Sequence, residues 1–216
     1  MSETSTLVTA DHFRYLAERT TREDAFLKSL KAEATAQGIP PIWIAPEQAS
    51  FMQILLRLAK AVDVVEVGTL AGYSAIVMAR ALPDEGSVRT IELEPKHADF
   101  AERWIAKSEV SGKIDVLRGA GMDVLPRLAD DSADAAFLDA DKESYPAYLS
   151  ECLRIVRVGG LIMVDNAFAF GELFAKESTR SGVAAMRAFN DHMARLAPVQ
   201  SIIVPIGDGL WVGVRR

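Results

Sequence analysis

Two stretches of the sequence place oxygen-bearing side chains directly after apolar runs. Asp139 follows one run, and the pair Asp165 and Asn166 follows another. Each carboxylate alone is more often a turn residue or a helix cap. Together, however, two carboxylates and an amide offer the oxygen ligands that suit a hard cation, Mg²⁺ first and Mn²⁺ or Ca²⁺ as alternatives. The sequence therefore predicts a divalent-metal site.

Zinc is not expected, because the chain has one cysteine and three scattered histidines. We interpret the histidines as surface residues or as core residues with satisfied hydrogen bonds: His12, His97 and His192. Lys142 stands three residues after Asp139. Lysine side chains usually remain solvated, but beside a metal ion a partly buried Lys142 could act as a base, because its surroundings would favour the neutral amine.

A second candidate site begins at Glu66-Val67-Gly68-Thr69-Leu70-Ala71-Gly72. Gly68 would permit a tight turn or let a ligand approach the backbone closely. The glycine spacing is not that of a dinucleotide fingerprint, a phosphate-binding P-loop or a nucleophile elbow. Glu66 would repel a pyrophosphate and suit a cationic amino group. Glu92, 24 positions after Gly68, stands near where an acidic residue binds ribose in dinucleotide folds. A cationic ribose ligand without phosphates matches S-adenosylmethionine better than NAD.

The elements that must position these residues alternate between strands and helices. The predicted strands are Val62–Val67, Ser87–Glu92, Ile114–Arg118, Ala135–Asp139 and Leu161–Asp165. Helical stretches of roughly ten residues separate them, as in βαβ units with a buried parallel sheet. Four of these five strand ends carry a carboxylate. Ligands of such sheets bind beyond the carboxyl ends of the strands, so we expect the site there.

The two ends of the chain differ from this pattern. The first sixty residues read as helices: Pro46 suits a helix start, and Phe51, Ile54, Leu55 and Leu58 recur at helical spacing. Near the other end, a helix over Ser178–Leu196 precedes strands Ser201–Pro205 and Leu210–Val214, which flank the turn signal Gly207-Asp208-Gly209. The predicted fold class is α/β: a doubly wound, mostly parallel seven-stranded sheet with N-terminal helices and an antiparallel C-terminal edge. We expect residues 1–216 to form one domain, with 1–60 part of it.

Composition excludes several classes of protein. The chain has 216 residues and a net charge of −6, which argues against a nucleic-acid surface. No apolar run approaches the length of a membrane span, and the start lacks the pattern of a signal peptide. The single cysteine, Cys152, lies in an apolar stretch and is interpreted as core filler. A lone cysteine fits a reducing cytoplasm, which is the expected location.

Taken together, these motifs resemble the cation-dependent class I O-methyltransferases, a family that includes catechol and caffeoyl-CoA O-methyltransferases. The resemblance covers about residues 22–216. It is carried by four stretches in this order: Glu66-Val67-Gly68-Thr69 with Gly72-Tyr73-Ser74, Phe137-Leu138-Asp139-Ala140-Asp141-Lys142 with Tyr145, Asp165-Asn166, and Pro205-Ile206-Gly207-Asp208-Gly209-Leu210. The set is highly specific, whereas the glycine motif alone would be weak.

The resemblance implies a role for each candidate residue. Asp139, Asp165 and Asn166 would hold the metal, and Lys142 would take the proton from the attacking hydroxyl. The residues implied to bind S-adenosylmethionine are Glu66, Gly68 and Ser74 at the methionine end, Asp139 at the amino group, Glu92 at the ribose, Ala120 near the adenine, and Ile44 in the pocket wall. The acceptor would be a small aromatic compound with two adjacent hydroxyls, and the chain would form a homodimer.

Two segments depart from the pattern of the family, and both border the expected mouth of the site. They are Ile42-Trp43-Ile44-Ala45 with Ala49-Ser50, and Ala167-Phe168-Ala169-Phe170-Gly171. Together with Phe174, the aromatic residues Trp43, Phe168 and Phe170 suggest an aromatic mouth, although core or dimer contacts would use them equally well. Two other functions stay open: a dinucleotide-dependent oxidoreductase, and a non-catalytic module that binds S-adenosylmethionine.

Overall fold

The computed structural model describes residues 6–216, so residues 1–5 of the predicted domain lie outside the described part. Three helices come first, as predicted, and strands then alternate with helices. The helices are α1 Ala10–Arg19, α2 Ala25–Ala36, α3 Pro46–Leu58, α4 Tyr73–Ala79, α5 Pro95–Ile105, α6 Gly121–Val124, α7 Tyr145–Ile155 and α8 Val183–Met193. The strands are β1 Asp63–Val67, β2 Ser87–Glu92, β3 Ile114–Arg118, β4 Ala133–Leu138, β5 Val156–Val164, β6 Val199–Val204 and β7 Leu210–Arg215.

The seven strands form one sheet in the order β3-β2-β1-β4-β5-β7-β6. The first five pair in parallel, and β7 pairs antiparallel with both β5 and β6. Chain order reverses between β1 and β4, which is the switch point at which such sheets bind ligands. The predicted fold class, including the antiparallel C-terminal edge, is therefore confirmed.

Apolar side chains cover both faces of the sheet. One cluster of buried residues joins α2, α3 and α4 to one face, and a second joins α7 and α8 to the other. Cys152 belongs to the second cluster, as the sequence predicted, and burial raises the pKa of its thiol to about 12. Such a thiol is a packing residue, since nucleophilic cysteines need an accessible thiolate.

Helix α3 buries a face that overlaps only partly with the stripe that identified it, since Phe51 and Leu55 of that stripe are partly buried against the core. Its buried residues are Gln48, Ala49, Met52 and Leu56, whereas Ile54 is 50% exposed and Leu58 75% exposed. Both stripes have helical spacing, because residues three or four apart share a face of any helix. Periodicity thus predicted the helix, and its packing against α4 and the rest of the core decided which face is buried.

Element boundaries differ from the prediction where glycine or proline misled it. β5 begins at Val156 rather than Leu161, because Gly159 and Gly160 lie inside the strand beside a register shift in its pairing with β4. α8 begins at Val183 rather than Ser178, because Gly182 before it adopts a left-handed conformation (φ 82°). The predicted ten-residue helix between β3 and β4 is only the turn α6 followed by a short 3₁₀ segment.

No helix of residues 6–216 is long and apolar enough to cross a membrane.

Candidate active site

A cavity of about 920 Å³ opens at the carboxyl ends of β1, β2, β4 and β5. Its size lies within the range of ligand pockets. Every predicted site residue except Glu66 lines its wall: Ile44, Gly68, Ser74, Glu92, Ala120, Asp139, Lys142, Asp165 and Asn166. Residues that are up to 122 positions apart in the sequence therefore share one cavity.

Gly68 serves a close approach between two strand ends. It has a left-handed backbone (φ 104°), and a Cβ atom at this position would collide with the backbone carbonyl of Asp139. The Asp139 amide in turn donates to the carbonyl of Val67 over 2.9 Å. Glycine is required here for the packing of β1 against β4, which brings Asp139 to the cavity.

Glu66 lies behind the cavity wall. Its side chain is fully buried, and its Oε2 accepts a hydrogen bond of 2.6 Å from the Thr90 hydroxyl. Burial raises the pKa of Glu66 to about 8, and the neighbouring Ser74 and Thr90 hydroxyls partly oppose that rise. Of these residues, Ser74 is the one exposed to the cavity. Glu66 is therefore separated from the cavity by Ser74, and the predicted contact of Glu66 with a ligand stays a prediction.

Glu92 closes β2 and points to the cavity beside the switch point. Its carboxylate accepts backbone N–H groups from Leu70 (2.8 Å) and Glu94 (2.9 Å). The Nδ1 atom of His97 lies 3.6 Å from Glu92 Oε1, and His97 also lines the cavity. His97 is thus part of the site wall and not the plain surface or core residue that its isolated position predicted. Glu92 is held in place by the backbone, as a residue that binds a ribose diol needs to be.

Lys142 is buried, which is unusual for a lysine. It is 7% exposed, and its Nζ donates to Asp139 Oδ1 over 3.1 Å and to the Tyr145 hydroxyl over 2.6 Å. The Tyr145 hydroxyl donates to the Leu138 carbonyl over 3.3 Å. Burial, with the charges of Asp139 and Asp165, raises the pKa of Tyr145 well above its usual value. Tyr145 therefore stays protonated and fixes the ammonium group at the cavity wall.

Asp165 and Asn166 follow β5 on the neighbouring side. Asp165 Oδ1 accepts a hydrogen bond of 2.8 Å from Gln48 Nε2, and both residues are buried. Burial, reinforced by the charge of Asp139, raises the pKa of Asp165 to about 7. Asn166 has a left-handed backbone (φ 64°), which asparagine tolerates better than most residues. Its Nδ2 donates to Asp208 Oδ2 over 3.0 Å, which leaves the amide oxygen available as a ligand.

These three residues fit a hard divalent cation. Residues 6–216 contain no group of three His, Cys, Asp or Glu side chains arranged around a metal, and the predicted set has two carboxylates and one amide. Burial first, and then repulsion by the charge of Asp139, raises the pKa of Asp165 in this poorly solvated corner. A cation would relieve that repulsion, and oxygen ligands of this kind are those that Mg²⁺ prefers.

The other side of the cavity is formed by the segment 167–182, which contains turns but no helix or strand. Phe170 and Trp43 line the cavity as predicted. Phe168 and Phe174 do not: Phe168 packs against Gly209, and Phe174 is 93% exposed. The predicted aromatic mouth is therefore smaller than the sequence suggested, because loop aromatics give no periodicity from which to judge direction.

Three residues of the site received no role from the sequence. They are Gln48, which fixes Asp165, Tyr145, which fixes Lys142, and Asp208, which holds Asn166. Asp208 also accepts the backbone N–H groups of Phe170 (2.7 Å) and Gly171 (3.0 Å). A polar residue between two glycines was a signal for Asp208. Gln48 gave none, since a helical glutamine is usually exposed.

Comparison with known proteins identifies the family of this chain. A sequence model described as O-methyltransferase matches residues 17–216. A catechol O-methyltransferase of Niastella koreensis is 37% identical over 197 residues, which cover 90% of this chain and 86% of that protein.

Two solved structures with a bound methyl donor or its product share the fold. An O-methyltransferase from Bacillus cereus in complex with SAH has a TM-score of 0.84 and 29% identity, covering 94% of this chain and 96% of that one. TomG from Streptomyces achromogenes, an O-methyltransferase of tomaymycin synthesis in complex with SAM, has a TM-score of 0.82 and 28% identity, covering 95% and 96%.

Proposed function

The chain belongs to the O-methyltransferase family and is an S-adenosylmethionine-dependent enzyme. From that premise we propose that it methylates one hydroxyl of a small aromatic acceptor that has two adjacent hydroxyls. A divalent cation would assist the reaction. The observation that carries the proposal is the shared cavity. The residues suited to a cofactor and those suited to a metal and a base line the same wall. Membership of the family removes both alternatives, the dinucleotide-dependent oxidoreductase and the non-catalytic module.

We assign the cofactor to the half of the cavity beside β1, β2 and β3. Gly68, Ser74 and Ile44 would surround the methionine end, and Asp139 its amino group. Glu92 would accept hydrogen bonds from the ribose hydroxyls, and Ala120 would lie near the adenine. Glu66, which lies behind Ser74, would contact the methionine end as well.

Asp139, Asp165 and Asn166 would hold the cation, Mg²⁺ before Mn²⁺ or Ca²⁺. When bound, the cation supplies Lewis-acid chemistry, which lowers the pKa of a coordinated hydroxyl and fixes the position of two adjacent oxygens. Asp165 is kept in place for this by Gln48, and Asn166 by Asp208.

In its neutral amine form, Lys142 would receive the proton of the attacking hydroxyl at its Nζ atom and become the ammonium that pairs with Asp139. The acceptor oxygen then forms a bond to the sulfonium methyl carbon while the carbon–sulfur bond breaks. Tyr145 and Asp139 hold Nζ at the wall, so that the proton acceptor is in place before the reaction begins. The side chains contribute mainly position and charge, because the activated methyl group comes from the cofactor.

Methyl transfer from labelled S-adenosylmethionine to a panel of catechols tests the proposal, first with Mg²⁺ and then with excess EDTA. We expect activity that EDTA removes and that Mg²⁺ restores, and we expect Asp139→Ala to abolish it. Activity that is indifferent to EDTA, or that survives in Asp139→Ala with chelator present, would contradict the metal site while leaving the methyltransferase assignment intact.

Three further features belong to the proposal. The lone buried cysteine favours a reducing cytoplasm. The resemblance to the family favours a homodimer. The continuous sheet of residues 63–215 favours a single domain over residues 1–216.

A further inference from the structure

Arg180 stands on the cavity wall at the acceptor side, next to Ser181 and Gly182. No role in the proposed reaction uses it. From its position we propose that the acceptor carries a carboxylate in addition to its two hydroxyls, and that Arg180 binds this carboxylate. The inference rests on the proposed function and names the substrate class within it.

On a largely acidic wall, Arg180 is the place at which a carboxylate could bind. Most of the ionisable side chains on its wall are acidic: Glu92, Asp139, Asp141, Glu143, Asp165 and Asp208. The wall includes one lysine and one arginine, Lys142 and Arg180. Lys142 already pairs with Asp139, whereas the ion pairs found among residues 6–216 do not include Arg180. Its guanidinium is therefore available to an anionic ligand.

Arg180 is not needed to close its own loop. A second arginine, Arg187, performs that task, because its guanidinium donates to the backbone carbonyls of Glu172 (2.8 Å), Leu173 (2.9 Å) and Ala175 (2.6 Å). The side chain of Arg180 instead lies over the ring of Phe170, with Cζ 4.4 Å from the ring centroid. One arginine thus organises the segment, and the other faces the cavity.

The contact with Phe170 prepares Arg180 for an oxyanion. A guanidinium that lies against an aromatic ring keeps its N–H groups in its own plane, where they can bind a carboxylate in a bidentate manner. Lys142 Nζ lies 5.8 Å from the centroid of the same ring. Lys142 Nζ and Arg180 Cζ are therefore no more than about 10 Å apart, which is within the reach of one dihydroxybenzoate or dihydroxycinnamate.

The test uses acceptors that differ only in charge: 3,4-dihydroxybenzoate and its neutral methyl ester. Two variants are compared with the unmodified enzyme. Arg180→Ala removes the guanidinium, and Lys176→Ala is the matched control, since Lys176 is an exposed cation of the same segment that does not line the cavity. We expect Arg180→Ala to lower the acid-to-ester ratio of kcat/KM about threefold to tenfold, mainly through KM of the acid. Lys176→Ala should leave that ratio unchanged.

Charge reversal gives a second, sharper arm. Arg180→Glu should disfavour the acid further and improve kcat/KM for a cationic catecholamine relative to the ester. The inference is overturned if Arg180→Ala affects acid and ester equally, or if Lys176→Ala has the same effect as Arg180→Ala.

Calorimetric binding of 3,4-dihydroxybenzoate to the protein saturated with S-adenosylhomocysteine and Mg²⁺ distinguishes a failure of the carboxylate site from a failure of the proposed function. If no acceptor is methylated, the proposed function fails. Even then, a larger Kd for the acid in Arg180→Ala, but not in Lys176→Ala, would support the carboxylate site. An unchanged Kd in Arg180→Ala would overturn it.

Discussion

The two halves of the cavity are built in different ways. The half beside β1, β2 and β3 consists of strand ends, left-handed glycines and two buried carboxylates, Glu92 held by backbone N–H groups and Glu66 by the Thr90 hydroxyl. The half beside β5 consists of the irregular segment 167–182, where Phe174 is almost fully exposed. Substitutions on the cofactor side should therefore cost cofactor affinity or stability, and those on the acceptor side should change the choice of acceptor. Asp139 and Lys142 lie at the boundary and should affect the reaction itself.

The largest effect is expected at that boundary. Lys142→Met removes the proposed base but keeps the length and packing of the side chain, so kcat should fall by about 10²- to 10⁴-fold. The Kd for S-adenosylhomocysteine should stay within about twofold of the original value, because the substitution leaves the residues of the cofactor half in place. Steady-state kinetics and calorimetry measure both, with Lys176→Met as control. A variant with near-normal kcat would show that Lys142 is only a structural partner of Asp139.

Glu66→Gln tests whether the cofactor half stores electrostatic strain. In the original protein, folding raises the pKa of Glu66 from 4.5 to about 8. Between these pH values the folded state therefore binds more protons than the unfolded state. Stability is then lost as pH rises through this window, by up to about 1.4 kcal/mol per pH unit. Glutamine has the same shape and no charge. The variant should therefore gain stability relative to the original protein from pH 5 to pH 8.

Urea unfolding of the ligand-free proteins at several pH values measures this difference. Asp165, whose pKa is raised to about 7, contributes to the pH dependence of both proteins and cancels in the comparison. Glu85→Gln, at an exposed position, serves as the control and should not change the slope. Parallel stability curves for Glu66→Gln and the original protein would mean that Glu66 does not retain its proton on folding.

Glu92→Gln should weaken cofactor binding with a smaller effect on stability. The Leu70 N–H donates to Glu92 Oε2 and the Glu94 N–H to Oε1, so Gln, with one acceptor oxygen, keeps one of these two hydrogen bonds. It also loses the charge that we expect to bind the ribose hydroxyls. We expect the Kd for S-adenosylhomocysteine to rise about tenfold, the typical value of one charge-assisted hydrogen bond. Calorimetry at constant salt measures it, with Glu85→Gln again as control. An unchanged Kd would mean that a residue other than Glu92 binds the ribose hydroxyls.

The same division explains what the sequence could predict. Strand ends such as Glu92 and Asp139 were predictable because apolar runs end abruptly and parallel strands bring their carboxyl ends together. The burial of Glu66 was not predictable, because side chains alternate between the two faces of a strand. A shift of one position moves a side chain from the cavity to the interior. Gln48 was also missed: its partner Asp165 lies 117 positions away, and local spacing carries no signal for such a pair.

The residues of the acceptor side were harder still to predict, because the direction of their side chains depends on the conformation of a loop. Phe168 and Phe170 are two positions apart, yet one packs against Gly209 and the other lines the cavity. The positive φ angles at Ala169 and Phe170 turn the chain between them. No propensity predicts such a conformation for alanine or phenylalanine, so the direction of these side chains emerged only in the fold.

The smallest effect is expected for Asp208→Ala, which tests whether the acceptor half is held by a single side chain. Asp208 accepts hydrogen bonds from Asn166, Phe170 and Gly171, and so ties the β6–β7 turn to the segment that carries the aromatic wall. Without it, the segment should lose order while the cofactor half keeps its own contacts. We expect KM for the acceptor to rise about threefold to tenfold, with Kd for S-adenosylhomocysteine unchanged. Because Asn166 also loses its partner, the Mg²⁺ concentration needed for half-maximal activity should rise in parallel. An equal loss of cofactor affinity would show that the two halves are coupled through the sheet, and the division between them would no longer hold.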